Sequence, residues 1–116
     1  MGRLTTHVLD TARGCPASGV DVALFGLQPE RRLIAEARTN ADGRLDAPIL
    51  DNDAFTTGIY ELVFQVGSYF RAQIDDLPDP AFVDEVVIRF GIADAGQHYH
   101  VPLLVSPWSY STYRGS

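Results

Sequence analysis

Three histidines are the side chains in this sequence best suited to proton transfer near neutral pH. His7 lies near the start of the chain, whereas His98 and His100 lie near its end. The imidazole pKa of about 6.5 lets histidine both accept and donate a proton there. Residues two apart on a strand share a face, so His98 and His100 are expected to project together. His7 joins them if the first strand lies near the last. A metal-free acid–base pocket, a tetrahedral zinc site and purely structural histidines all remain open.

Arg44 is a further candidate because it directly follows an Asp42-Gly43 turn. Its charge is permanent, and its guanidinium presents a planar fork of donors that suits a carbonyl oxygen becoming negative during a reaction. Taken alone, Arg44 is typical of a solvated charge at a strand end. It gains a catalytic meaning only if the fold brings it to the histidines.

The last four residues are unusual for a chain end because they directly follow a strand-like run that is rich in tyrosine. Two interpretations are open, a short terminal strand or a tail docked against the protein. A docked tail would offer a phenol, a guanidinium, a hydroxyl and a terminal carboxylate. The residues concerned are Tyr113, Arg114, Gly115 and Ser116.

Composition excludes several other kinds of site. The sequence has nine basic residues, all arginine, so chemistry that needs a lysine amine is excluded, including Schiff-base catalysis, pyridoxal phosphate attachment and the P-loop. With 15 acidic residues the formal charge is -6, and such a surface repels nucleic acid and anionic lipid. The single cysteine, Cys15, cannot form an internal disulfide, which indicates a reducing compartment. No obvious base lies near it in the sequence, so a catalytic thiol is not expected.

Apolar stretches in the sequence are far shorter than the roughly 20 residues that a membrane span needs, and no secretory signal is recognisable near the start. We therefore expect a cytoplasmic protein with no membrane and no nucleic acid partner.

Short runs of alternating apolar and polar residues, separated by glycine, proline and aspartate, indicate a mostly β chain. The predicted strands are residues 6–10, 20–27, 32–39, 59–66, 82–90, 98–105 and 109–114, with a short strand end at 44–45. Seven to eight strands at this spacing predict an all-β, two-sheet β-sandwich that forms a single domain over residues 1–116.

Between the strands, residues 11–19 and 51–58 are predicted to be loops and residues 40–43 a turn. Helix is favoured only over residues 68–76, with Ser68 as a possible N-cap and Pro78 beyond the end.

The motifs together resemble the transthyretin-related 5-hydroxyisourate hydrolases, and the resemblance spans nearly the whole chain. The segments that carry it are His7-Val8-Leu9-Asp10, Asp42-Gly43-Arg44, His98-Tyr99-His100-Val101-Pro102-Leu103-Leu104 and the end of the chain from Ser106 through Tyr113-Arg114-Gly115-Ser116. The terminal Tyr-Arg-Gly-Ser is the most specific of these, since the hormone-carrying transthyretins resemble the same fold but lack that ending and the histidines.

The resemblance implies hydrolysis of 5-hydroxyisourate, the product of urate oxidation, to 2-oxo-4-hydroxy-4-carboxy-5-ureidoimidazoline, with no cofactor and no metal. It implies catalytic roles for His7, Arg44, His100 and Ser116, and substrate binding by Tyr113, Arg114 and Gly115. His98 also matches a recurring histidine of the family, but it is not expected to touch the substrate. The implied assembly is a homotetramer, a dimer of dimers with its sites at the subunit interface.

Two readings without catalysis compete with this one. A transthyretin-like carrier of small ligands shares the sandwich, but its channel would be lined mainly by apolar groups. A structural or adhesion sandwich predicts that the histidines, Arg44 and the tail do not converge at all.

Overall fold

Alternation of apolar and polar residues gives each long strand one face for a shared core. In the computed structural model, which describes residues 2–115, the strands form two sheets packed face to face. Along the chain the elements are β1 (Arg3–Asp10), β2 (Cys15–Pro16), β3 (Asp21–Gly26), β4 (Arg32–Arg38), β5 (Leu50–Asp51), β6 (Gly58–Gln65), α1 (Val66–Gln73), β7 (Glu85–Ile92), β8 (His98–Val105) and β9 (Tyr110–Thr112). The predicted two-sheet sandwich with one short helix is confirmed.

The first sheet has the order β2-β1-β8-β9, with β5 also paired to β1, and the second has the order β4-β3-β6-β7. The parallel pairing of β1 with β8 joins the two ends of the chain, with a register that runs from Arg3 opposite His98 to Asp10 opposite Val105. This pairing places the first and last histidines of the sequence in one sheet.

The core lies between the two sheets and determines which face of β1 is available for chemistry. Leu4 and Val8 are fully buried, whereas Arg3, Thr5 and His7 lie on the opposite face and are exposed or partly exposed. Burying an aliphatic side chain of this size is worth about 1.5–3 kcal/mol. A slip of one residue would therefore exchange core residues for polar ones, and the register is strongly fixed.

Residues 2–115 form nine strands, of which β2 lies inside a predicted loop and β5 overlaps the start of another. β2 and β5 are two residues long and have no alternation of their own. They exist because they pair with β1, through Leu9 with Pro16 and Leu4 with Leu50. The predicted strand over residues 98–105 is confirmed at both ends. Arg44 belongs to no strand and instead forms an isolated bridge with His7.

The helix begins earlier than its sequence pattern predicts. Gln65 occupies the N-cap position without a side-chain hydrogen bond, so the prediction of Ser68 as the N-cap is wrong, and Ser68 lies inside the helix. The chain passes directly from β6 into α1, which leaves no room for a separate capping residue. Within the described residues 2–115, no helix is both long enough and apolar enough to span a bilayer.

Candidate active site

The three histidines that the sequence singled out meet on the outer face of the first sheet. Parallel pairing sets Thr5 opposite His100, and since alternate residues share a face, His7 projects on the same side one step further along β1. His98 and His100 share that face of β8, with ring centroids 6.3 Å apart. The first strand therefore lies beside the last long strand, as the convergence of the three histidines requires.

A tight turn delivers Arg44 to this face. The side-chain oxygen of Asn40 accepts hydrogen bonds from the backbone N–H groups of Asp42 (2.9 Å) and Arg44 (3.2 Å). Gly43 has a φ of 73°, a conformation that favours glycine. Its carbonyl accepts a 2.8 Å hydrogen bond from the backbone N–H of Val8 on β1. The bridge between Arg44 and His7 then fixes the backbone of Arg44 beside β1.

An open cavity of about 570 Å³ covers this face. Small-molecule sites usually enclose about 300–1,000 Å³, so the cavity suits a compact ligand. Gly115 lines the cavity, and the polar side chains in its wall are those of Arg3, Thr5, Thr6, Arg44, Asp46, His98, His100 and Tyr113. His7 lies beside this wall rather than in it, but it is near enough for the charges of Arg44 and His100 to interact with its imidazole.

Two neighbours hold the His100 ring. Its Nδ1 lies 2.8 Å from the Thr5 hydroxyl oxygen, and the backbone N–H of Gly115 donates a 2.8 Å hydrogen bond to the His100 carbonyl. Gly115 also packs against the other edge of the ring, since a Cβ placed on it would lie 2.7 Å from His100 Cδ2. With Nδ1 engaged and the Cδ2 edge covered, Nε2 is the ring nitrogen left for a ligand.

Thr5 is a site residue that the sequence analysis did not identify. Its hydroxyl oxygen lies 2.8 Å from His98 Nε2 as well as 2.8 Å from His100 Nδ1. The available signal was its position two residues before His7, which predicts a shared face of the strand. The register that sets Thr5 between two imidazoles more than 90 residues away cannot be read from that spacing.

Burial and nearby charge favour the neutral form of all three imidazoles. Burial is the larger cause of the lowered pKa of His7, and Arg44 adds to it, while Asp42 opposes the change. The pKa of His100 is lowered by burial first and then by Arg44, His98 and His7. Burial and the charge of Arg3 lower the pKa of His98. The imidazoles can therefore accept protons near neutral pH.

The tail follows the cavity edge, as the docked interpretation requires. Tyr113 lies in the cavity wall and is 62% exposed in the single chain. Arg114 turns away, because its guanidinium donates to the Gln97 side chain (2.8 Å) and to the His98 carbonyl (3.3 Å) and lies over the Tyr99 ring. The predicted substrate contact of Arg114 thus stays a prediction. Ser116, also predicted, lies outside the described residues.

The tetrahedral zinc alternative finds no support in the arrangement of possible ligands. Within residues 2–115, no group of three or more histidine, cysteine or carboxylate side chains is placed to hold a metal ion. His98 and His100 instead direct one nitrogen each at the Thr5 hydroxyl.

Comparisons with known proteins agree with the fold. The model of the HIUase/Transthyretin family matches residues 4–115. A 5-hydroxyisourate hydrolase of Ralstonia nicotianae is 62% identical over 117 residues, covering 100% of both chains. The structure of an (S)-allantoin synthase superposes with a TM-score of 0.94 and 49% identity over 99% of this chain, which spans 44% of that longer protein. Sea bream transthyretin in complex with thyroxine superposes with a TM-score of 0.87 and 26% identity, over 97% of this chain and 94% of its own.

Proposed function

Since the chain belongs to the HIUase/Transthyretin family, we propose that it hydrolyses 5-hydroxyisourate. The reaction opens a cyclic amide to give 2-oxo-4-hydroxy-4-carboxy-5-ureidoimidazoline, a step of urate catabolism. One observation carries the proposal: Arg44, His100 and the tail meet at a single open cavity, with His7 beside it. The relative from Ralstonia nicotianae bears the name of this activity.

Opening a cyclic amide requires a deprotonated water, a group that stabilises the oxyanion, and a proton for the leaving nitrogen. His7 and His100 hold the water and take its proton, a contribution of typically about 10²- to 10⁴-fold. The lowered pKa values of both imidazoles support this role, because a general base must be neutral when the substrate arrives. The imidazole that took this proton then donates it to the leaving nitrogen.

Arg44 binds a ring carbonyl of the substrate and offsets the negative charge that grows on its oxygen. Its position in the cavity wall, next to both proposed bases, supports this role. The arginine also disfavours a proton on either imidazole. The Arg44 guanidinium thus keeps the base neutral and also stabilises the oxyanion.

The tail orients the substrate or the water, which lowers the entropic part of the barrier. Tyr113 and Gly115 are placed for this at the cavity wall. Arg114 contributes by fastening the tail to β8 through the His98 carbonyl. Ser116 completes the site in this proposal with its hydroxyl.

A direct assay separates this function from ligand carriage. We expect the ultraviolet absorbance of freshly generated 5-hydroxyisourate to decay faster with the protein than without it, and equally fast after chelator treatment. His7→Asn and His100→Asn should each lower turnover by at least about 100-fold with an unchanged circular dichroism spectrum. A protein that binds the compound without speeding its decay would be a carrier, and undiminished turnover in both variants would remove the site assignment.

The proposed assembly is a homotetramer with its sites between subunits. One edge strand of each described sheet, β7 and β9, supports it, because an edge strand can pair with another chain. Val87 on β7 is 43% exposed and Tyr110 on β9 is 49% exposed. Light scattering should give four times the chain mass. Val87→Arg should lower that mass, since a two-fold interface brings like charges together, whereas Leu33→Arg on the opposite edge strand β4 should not.

We also place the protein in the cytoplasm. The one cysteine of the sequence, Cys15, is a free thiol in the structure, which suits a reducing compartment. Fractionation of the source cells should recover the activity with cytoplasmic marker enzymes, and recovery outside the cytoplasm would refute this placement.

A further inference from the structure

The Thr5 hydroxyl links two imidazoles, and its single proton limits how they can be arranged. Its oxygen lies 2.8 Å from His98 Nε2 and 2.8 Å from His100 Nδ1. A threonine hydroxyl has one proton to donate and lone pairs with which to accept. When it donates to one ring it accepts from the other, and the direction of this chain then determines which nitrogen of each neutral ring carries the proton.

The two directions have opposite consequences for His100. If Thr5 donates to His100 Nδ1, the proton of that ring lies on Nε2, and no lone pair faces the ligand. If Thr5 donates to His98 Nε2, then His100 Nδ1–H donates to Thr5, and the lone pair of His100 lies on Nε2. Only the second direction leaves a base at the nitrogen that Thr5 and Gly115 leave free.

We propose that Thr5 and His98 are positioning residues that hold His100 in its Nδ1–H tautomer, with the lone pair on Nε2. The inference rests on the proposed function, in which His100 is a general base. In this arrangement His98 is itself an Nδ1–H tautomer that accepts the Thr5 proton. Neither Thr5 nor His98 needs to touch the reacting atoms. The proposal thus gives a role to His98, which is not expected to touch the substrate.

Burial and the charges around the pair keep both rings neutral, which the proposal requires. Arg44 lies close enough to His100 to disfavour a proton on its ring, and Arg3 acts in the same way on His98. A ring that stays neutral near neutral pH has one proton to place, and the Thr5 oxygen offers His100 Nδ1 an acceptor for it. The other charged or titratable groups around the pair are His7 on β1, Asp46 after the turn, and Tyr113 and Arg114 in the tail.

Removing the hydroxyl tests the role of Thr5 in turnover. Thr5→Val should lower kcat by about 10- to 100-fold, as is usual when the partner that orients a functional histidine is lost, and KM should change by less than about threefold. Thr5→Ser keeps a hydroxyl and should restore most of kcat. Thr11→Val is the matched control, because the hydroxyl of Thr11, the residue after β1, also bonds to β8, through the Val105 carbonyl, but outside the cavity wall. It should leave kcat unchanged.

Nuclear magnetic resonance tests the tautomer without relying on activity. Long-range ¹H–¹⁵N spectra of the wild-type protein near neutral pH should show His98 and His100 both protonated on Nδ1. In Thr5→Val the His100 proton should move to Nε2, the position that an imidazole without a partner prefers. A purely structural role for Thr5 would leave the tautomer unchanged. Should Thr5→Val fail to fold, Thr5→Ala removes the same hydroxyl with less bulk.

A double-mutant cycle tests whether His98 acts through Thr5. His98→Leu removes the acceptor at the end of the chain and should lower kcat, and the double variant with Thr5→Val should be no slower than the slower single variant. Additive losses would mean that the two residues act independently, which contradicts the proposal.

The remaining outcomes separate this inference from the proposed function. A kcat of Thr5→Val within about twofold of wild type, or an Nε2–H tautomer of His100 in the wild type, overturns the positioning role while the proposed hydrolase activity stands. Wild-type turnover in His100→Asn overturns the proposed base instead. The positioning role falls with it, whatever tautomer the spectra show.

Discussion

Among individual residues, Arg44 has the widest influence because its charge acts on two imidazoles at once. It contributes to the lowered pKa values of His7 and of His100, and it lies in the wall of the cavity that the substrate is proposed to enter. A permanent cation here favours neutral bases before the reaction and a negative oxygen during it. Both effects need charge, but only the second needs the planar fork of donors.

Arg44→Lys separates those two effects. Lysine keeps the charge and loses the fork, so we expect a loss of roughly 2–4 kcal/mol in transition-state stabilisation, measured as kcat/KM. Arg38→Lys is the control, because Arg38 forms an exposed ion pair with Asp21 away from the cavity. A kcat/KM for Arg44→Lys within about threefold of wild type would reduce Arg44 to a surface charge.

Arg44→Gln tests the electrostatic part through pH. Since the proposed bases must be neutral, wild-type kcat/KM should stay level near neutral pH and fall as pH drops through their lowered pKa values, below the ordinary value of 6.5. Without the cation, the pKa values of His7 and His100 should rise. The pKa of His100 should still remain below 6.5, because burial is the larger cause and none of the neighbouring groups that act on the ring raises its pKa. Proton titration by nuclear magnetic resonance measures this directly, and unchanged values would show that Arg44 does not act on the rings.

At the level of elements, the turn before Arg44 determines whether the arginine reaches β1. Gly43 has a positive φ, and a Cβ there would collide with the Val8 carbonyl and lie 3.1 Å from Pro16 Cβ. The turn therefore depends on glycine for two reasons, its conformation and its close approach to β1. Gly19 also has a positive φ, but nothing lies within 4 Å of the position its Cβ would take.

Gly43→Ala and Gly19→Ala form a matched pair that separates these reasons. Gly19→Ala should cost about 1–2 kcal/mol of unfolding free energy, the strain of a left-handed residue, with unchanged kcat/KM. Gly43→Ala should cost more and should also lower kcat/KM, because the collision displaces the turn that carries Arg44. Denaturant unfolding and steady-state kinetics measure both effects. Equal losses in the two variants would mean that the contact with β1 does not matter.

The elements also show how far the sequence alone could go. The strand over residues 98–105 was predicted at both ends because polar and apolar residues alternate over its first half and Pro107 follows it. The two-residue strands β2 and β5 could not be predicted, because each is created by pairing with β1. Thr5 was not identified for the same reason, since only the register between β1 and β8 sets its hydroxyl between two imidazoles.

For the molecule as a whole, the pairing of β1 with β8 makes the site depend on both ends of the chain. His7 and Arg44 come from the first half, whereas His100 and the tail come from the second. The site therefore forms only when the full sandwich has folded. This dependence supports the prediction that residues 1–116 fold as one domain, which a single cooperative unfolding transition seen by both fluorescence and circular dichroism would verify.

Extending the tail tests the whole site from its most specific end. The Gly115 N–H donates to the His100 carbonyl at 2.8 Å, so the chain is held against β8 up to the last described residue. Residues added after Ser116 extend a tail whose Tyr113 and Gly115 line the cavity, so we expect them to compete with the substrate for that space. We expect at least about a tenfold loss of kcat with little change in Tm, because a terminal segment contributes few core contacts.

The same tag placed before Met1, joined by a flexible spacer, should lower kcat less. Equal kcat for the untagged, N-terminally tagged and C-terminally extended proteins would show that the tail takes no part in catalysis, and the roles proposed for Tyr113, Gly115 and Ser116 would have to be withdrawn.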